Sequence, residues 1–118
     1  MTRGAEVAWG LFHLERFEEA KALLRKPMRV ALRVLGENNH ITLKMRWAYA
    51  KALYRAEGAT LDNFRESVET LEDTQRTARR VLGGTHPTTE AIEHELRDAR
   101  AALRAREAGH RVVFVKPK

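Results

Sequence analysis

The chain states one passage twice. Val34-Leu35-Gly36-Glu37-Asn38-Asn39-His40-Ile41-Thr42 returns as Val81-Leu82-Gly83-Gly84-Thr85-His86-Pro87-Thr88. Leu35-Gly36 recurs at Leu82-Gly83 after 47 residues, and His40 recurs at His86 after 46. Each passage ends a helical pattern in Leu-Gly and opens another just past a His. A period of this length marks an array in which each unit buries its apolar side against the next.

Composition supports helix as the unit. With 3 Pro and 7 Gly in 118 residues, and a chain rich in Ala, Leu, Arg and Glu, helix is favoured throughout. The length is that of one domain. There is no Cys, which excludes a disulfide framework and thiolate chemistry and points to an intracellular, cytoplasmic protein. No apolar run approaches the ~20 residues of a membrane span, and Met1-Thr2-Arg3-Gly4-Ala5 lacks the apolar core of a secretory signal. The net charge is +6, most of it from Arg97, Arg100, Arg104, Arg106, Arg111, Lys116 and Lys118 near the C-terminal end.

Apolar spacing predicts five helices. Residues 5–14 carry Val7, Ala8, Leu11, Phe12 and Leu14. A second helix, with Phe17, Ala20, Leu24, Met28, Ala31 and Leu35 at spacings of three and four, contains Pro27, where a kink or break is expected. Gly36 suits a left-handed residue past its end. The third helix is expected from about Thr42 to Glu57, stopped by Gly58. Thr60 is placed to cap the fourth, which carries Leu61, Phe64, Val68, Leu71, Ala78 and Leu82 and ends at Gly83-Gly84. Pro87 suits the first turn of the fifth, whose stripe is Ile92, Leu96, Ala99 and Leu103. Residues 1–109 thus form a repeat domain: a first hairpin at 5–35, a second at 42–82, and an unpaired helix at 88–108. Residues 110–118 form a basic, apolar tail that frays unless docked.

Aligning Phe17 with Phe64 sets Ala20 on Ser67, Leu24 on Leu71, Ala31 on Ala78 and Leu35 on Leu82. The array reads A1-B1-A2-B2-A3, with no closing B helix. In Leu82-Gly83 through His86-Pro87-Thr88, in the looser copy from Leu35-Gly36 to His40-Ile41-Thr42, and in Phe17-Glu18-Glu19-Ala20, the chain resembles tetratricopeptide repeats of the kinesin light chain type. The resemblance covers roughly residues 5–107. It implies an all-α, right-handed superhelix of about five helices in antiparallel hairpins, acting as a non-catalytic protein-interaction scaffold. Two departures stand out. The family's Asn before Leu-Ala is replaced in Ala48-Tyr49-Ala50, and the junction of residues 58–63 is longer than usual.

The A helices of such an array line its concave face. On this reading Lys44, Trp47, Lys51, Tyr54 and Arg55, with Arg97, Arg100 and Arg104, hold a partner segment: aromatics anchor and cations read acidic side chains. The same aromatics at helical spacing would equally serve as core between hairpins. Ile92, Leu96 and Leu103 form an open end wanting a partner helix, a symmetry mate or the folded-back tail, unless the B2 helix already covers them. A permanent place in a larger complex is therefore the alternative to reversible scaffolding. Nucleic acid or another anion is the third reading, since the basic C-terminal part lacks any recognition motif. His86, Glu90 and His94 share a helix face, but lack a fourth ligand and an HExxH motif, so no metal and no cofactor is implied. Ser67, the only serine, has no nucleophile setting.

Overall fold

A computed structural model describes residues 16–112 and 114. Four helices occur among them: α1 (Phe17–Leu35), α2 (His40–Arg55), α3 (Leu61–Leu82) and α4 (Pro87–Glu107). The helix expected at 5–14 lies outside the described residues. Backbone contacts join α1 to α2, α2 to α3, α3 to α4, and α2 to α4, while no Cα of α1 comes within 8 Å of α3 or α4.

The repeat holds at atomic level with a constant 47-residue register. Gly36 and Gly83 adopt nearly the same conformation, φ 85°, ψ 167° and φ 95°, ψ 154°. That combination is essentially open to glycine alone. After each glycine the chain turns back, and a threonine of the next helix clamps the previous one. The Thr42 hydroxyl donates to the Ala31 carbonyl (3.4 Å), and the Thr89 hydroxyl to the Ala78 carbonyl (3.3 Å). Each new helix is capped at the same register position. Asn39 Oδ1 accepts from the Ile41 N–H (2.8 Å), and His86 Nδ1 accepts from the Thr88 N–H (3.1 Å). The equivalent of His86 is therefore Asn39, not His40, which matches Pro87. His40 instead stacks edge-on against His86 (5.5 Å) and bonds Thr88 Oγ1 (3.0 Å), tying the two joints together.

Burial follows the same register. Ala20 and Ser67, Leu24 and Leu71, Ala31 and Ala78, Met45 and Ile92, Tyr49 and Leu96, and Ala52 and Ala99 are all buried. Small residues at half of these positions let helix backbones approach. Where Ala20 becomes Ser67, the added hydroxyl donates to the Ala50 carbonyl (2.7 Å). The main core lies between α2, α3 and α4 and contains Leu43, Tyr54, Phe64, Leu71 and Ile92. A smaller one of Leu24, Ala48, Tyr49 and Leu53 joins α1 to α2.

Three local expectations change. The helix α1 runs unbroken through Pro27. The carbonyl that loses its partner belongs to Leu23, on the exposed side, while buried Leu24 and Ala31 hold both flanks. The helix α2 starts at His40 because Asn39 caps it, and ends at Arg55 because Ala56 turns extended (ψ 140°) before Gly58 is reached. Thr60 caps α3 as expected, and Asn63 returns its side chain to the Thr60 N–H (3.0 Å).

Replacing Gly36 or Gly83 with Ala meets no steric obstacle around the new Cβ. Each substitution should still lower stability by about 1–3 kcal/mol, because an L residue is strained at that φ. Urea denaturation of the two single variants should give similar losses, since the joints are equivalent.

Candidate functional site

The register breaks at one buried position in a way that creates chemistry. Ala48 of α2 corresponds to Glu95 of α4, and both are buried. A carboxylate in that setting needs partners, and α2 supplies them from the side facing α4. The Tyr54 hydroxyl donates to Glu95 Oε2, and Trp47 Nε1–H donates to Oε1 (3.3 Å). Lys51 Nζ lies 4.0 Å from Oε1 and Arg55 Nε 3.6 Å from Oε2. Arg55 also donates to the Tyr54 oxygen (3.2 Å) and reaches Asp98 (3.6 Å). Burial, then the Glu95 charge and its hydrogen bond, push the Tyr54 phenol far above its ordinary range.

Trp47, Lys51, Tyr54 and Arg55 therefore converge on Glu95 and join α2 to α4. Tyr54 is completely buried and Trp47 packs against the main core. These aromatics are not free anchors, because the acid on α4 draws the polar edges of both rings inward. Lys44, by contrast, stays exposed at the surface.

The expected residues of α4 separate onto other faces. Arg100 pairs with Glu72 of α3 (2.8 Å), and Arg97 lies 3.4 Å from His94. Arg97 and Arg104 are exposed. By the register Arg97 matches Ala50, so it occupies the outer face of α4 and not the side shared with Lys51. The open apolar end is also absent from α4: Ile92 and Leu96 are buried in the main core and Leu103 packs against it. The outer face carries Glu90, His94, Arg97, Ala101 and Arg104, all exposed, where α2 has Leu43, Trp47, Ala50 and Tyr54.

The described part of the tail folds back. Val112 packs against the main core, and Phe114 meets the Tyr54 ring edge-on (5.5 Å) with the Arg55 guanidinium over its face (5.0 Å). An open cleft of about 460 Å³ lies beneath it, lined by Phe17, Tyr54, Phe64, Arg106 and Arg111 among others. His86 serves as a helix cap, and His94 faces Asp98 (3.5 Å). Among the described residues no group of three or more His, Asp or Glu is placed to hold a metal ion. No described helix is long and apolar enough to cross a membrane.

Comparison of the chain with family models, with curated proteins and with solved structures gave no match.

Two features escape a reading of helical spacing alone. Glu95 sits at the edge of the α4 stripe and reads as a polar boundary; only the Ala48 register shows that it is interior. The second is an apolar groove of about 320 Å³ between α1 and α2, lined by Pro27, Val30, Ala31, Val34, Leu35, Ile41 and Met45. Its signal was a run of apolar residues at the C-terminal end of α1 that remains exposed: Val34 is 69% and Leu35 44% accessible.

Tyr54→Phe removes a donor from a buried carboxylate and should cost about 1–3 kcal/mol at neutral pH by urea unfolding. The raised phenol affinity for its proton stabilises the fold below about pH 10, the ordinary tyrosine value, and is lost as pH rises beyond it. The stability gap between wild type and Tyr54→Phe should accordingly narrow above about pH 10.

Proposed function

We propose that this chain is a tetratricopeptide-like helical-repeat segment, right-handed in its superhelix, that acts as a non-catalytic scaffold for a partner protein. The observation that carries this reading is the duplicated joint: glycine, N-cap and threonine clamp recur in one 47-residue register. The contact pattern supports it as well. Each helix packs on its chain neighbours, α2 and α4, the A-type helices of this reading, lie side by side, and the α1 and α4 backbones stay more than 8 Å apart. A closed bundle would bring its first and last helices together.

Partner recognition on this reading rests on charge rather than aromatic anchors. Trp47 and Tyr54 fix the spacing of α2 and α4, while Lys44, Arg97 and Arg104 present cations to solvent. Such a surface suits a partner with acidic segments.

Two measurements test the reading. Replacing residues 36–42 by the sequence of residues 83–89 exchanges one joint for its equivalent. The helical circular dichroism signal and cooperative melting should survive, with the midpoint moved by less than about 8 °C, as a change of about 1 kcal/mol would give. Loss of folding would defeat the repeat. Tagged full-length chain recovered from its own cells should retain a protein partner in stoichiometric amount after nuclease treatment. Recovery of nucleic acid alone would defeat the scaffold.

A further inference from the structure

We infer that the outer face of α1 is a binding surface for the phosphate backbone of a nucleic acid. Arg25, Arg29 and Arg33 follow one another at i, i+4 and i+8, so they rise one turn apart along one edge, with Lys26 beside them. All four are exposed. The 47-residue register supplies an internal comparison. Where α1 has Ala22 and these four cations, α3 has Glu69, Glu72, Asp73, Arg76 and Arg80. The α3 face neutralises itself. Arg76 and Arg46 pair with Asp73 (3.4 and 2.7 Å), Arg100 pairs with Glu72 (2.8 Å), and Arg80 bonds Asn38 (3.0 Å). On α1 the three acidic positions are Ala22, Arg25 and Lys26, and no Asp or Glu occurs between Ala20 and Gly36. The acids at the start of α1, Glu18 and Glu19, are held by Lys21 and Arg16. Arg25 donates to Tyr49 and lies within the field of Glu66 of α3 without pairing to it. Among the described residues none of the four cations forms an ion pair.

The fold gains little from this row. Like charges one turn apart weaken a helix, and only Arg33 lies in the last turn, where the helix end favours a cation. The chemistry of the row names the ligand instead. Three of the four are Arg, whose planar fork takes a phosphate through two N–H groups. From Arg25 to Arg33 the edge runs about 12 Å, and a strand of duplex offers a phosphate about every 3.4 Å of its axis. No large apolar side chain stands among the cations. Leu23 and Val34, both exposed, belong by their spacing to the flank of Pro27 and Val30. The row therefore lacks the apolar anchor on which a protein interface turns, and the inserted stripe that holds a helix on a membrane. Contact with phosphates needs only clustered cations.

The probe is a fluorescein-labelled single strand of about 20 nucleotides of mixed sequence, made as RNA and as DNA, titrated with the full chain between about 50 and 200 mM salt. Fluorescence anisotropy should give a log–log salt slope of about −3, as about four phosphate contacts to a single strand produce. The strand bound more tightly identifies the source of the phosphate. Arg29→Gln and Arg33→Gln should each flatten the slope by about 0.7. Arg25→Gln, Lys26→Gln, Arg29→Gln and Arg33→Gln together should weaken binding about tenfold or more at the lower salt. Gln suits an exposed helix position, so far-UV circular dichroism should match wild type. Arg29→Lys, which keeps the charge, should keep the slope. Arg76→Gln and Arg80→Gln, the register equivalents on α3, should leave affinity within about twofold. Absence of binding, slopes unchanged in the α1 variants, or equal losses in the α3 variants would overturn the proposal. Tighter binding to phosphatidylserine vesicles or to polyglutamate, lost in the same α1 variants, would overturn it too, by making the face a membrane or acidic-protein surface.

Discussion

The joint between hairpins is the constraint on which the remaining architecture rests. A glycine at positive φ with extended ψ ends one helix, and a threonine hydroxyl from the next reaches back to a buried alanine carbonyl. Each hydrogen bond is worth only about 1 kcal/mol, and each cap a similar amount. Their effect is geometric. They fix the angle at which α2 leaves α1 and α4 leaves α3, and the alanines at 31 and 78 keep the contact close. Because both joints set the same angle, α2 and α4 come to lie side by side, and the His40–His86–Thr88 contact locks them at the joint end.

At the far end of the same helix pair the lock is ionic. Glu95 takes the place that Ala48 holds in the first copy, and desolvating it would be expensive without Tyr54, Trp47, Lys51 and Arg55. A satisfied buried network of this kind favours one alignment of two helices over slipped alternatives, since sliding either would strand the carboxylate. The tail extends the stack: the Arg55 guanidinium lies against both the Tyr54 and the Phe114 ring, which meet edge-on, and also reaches Asp98. Departure from the 47-residue symmetry is thus concentrated between α2, α4 and residues 112 and 114.

Local signals in the sequence translated well. Thr60, Gly36, Gly83 and Pro87 each act through a few neighbouring atoms, and each sits where that chemistry demands. The match of Phe17 to Phe64 set the 47-residue register between α1 and α3, whereas pairing His40 with His86 placed α4 one residue off against α2, since the equivalent cap is Asn39. The orientation of α2 was harder, because that helix is buried against α1, α3 and α4 together. Thr42, Leu43, Met45, Ala48, Tyr49, Ala50, Ala52, Leu53 and Tyr54 are all buried, so no single stripe tells inside from outside. The aromatics Trp47 and Tyr54 looked like groove residues for that reason. Only the acid on α4, distant in sequence, decides that they face inward.

The outer face of α4 and the α1–α2 groove differ in chemistry. The outer face of α4 is polar, with Glu90, His94, Arg97 and Arg104 where α2 has packed side chains. The α1–α2 groove is lined by apolar side chains from Pro27 to Met45. Identical copies that stack end to end need complementary ends, and such heterologous contacts propagate into open filaments. Stacking of that kind would set Glu90 of α4 against the apolar α1–α2 groove, a costly burial for a carboxylate.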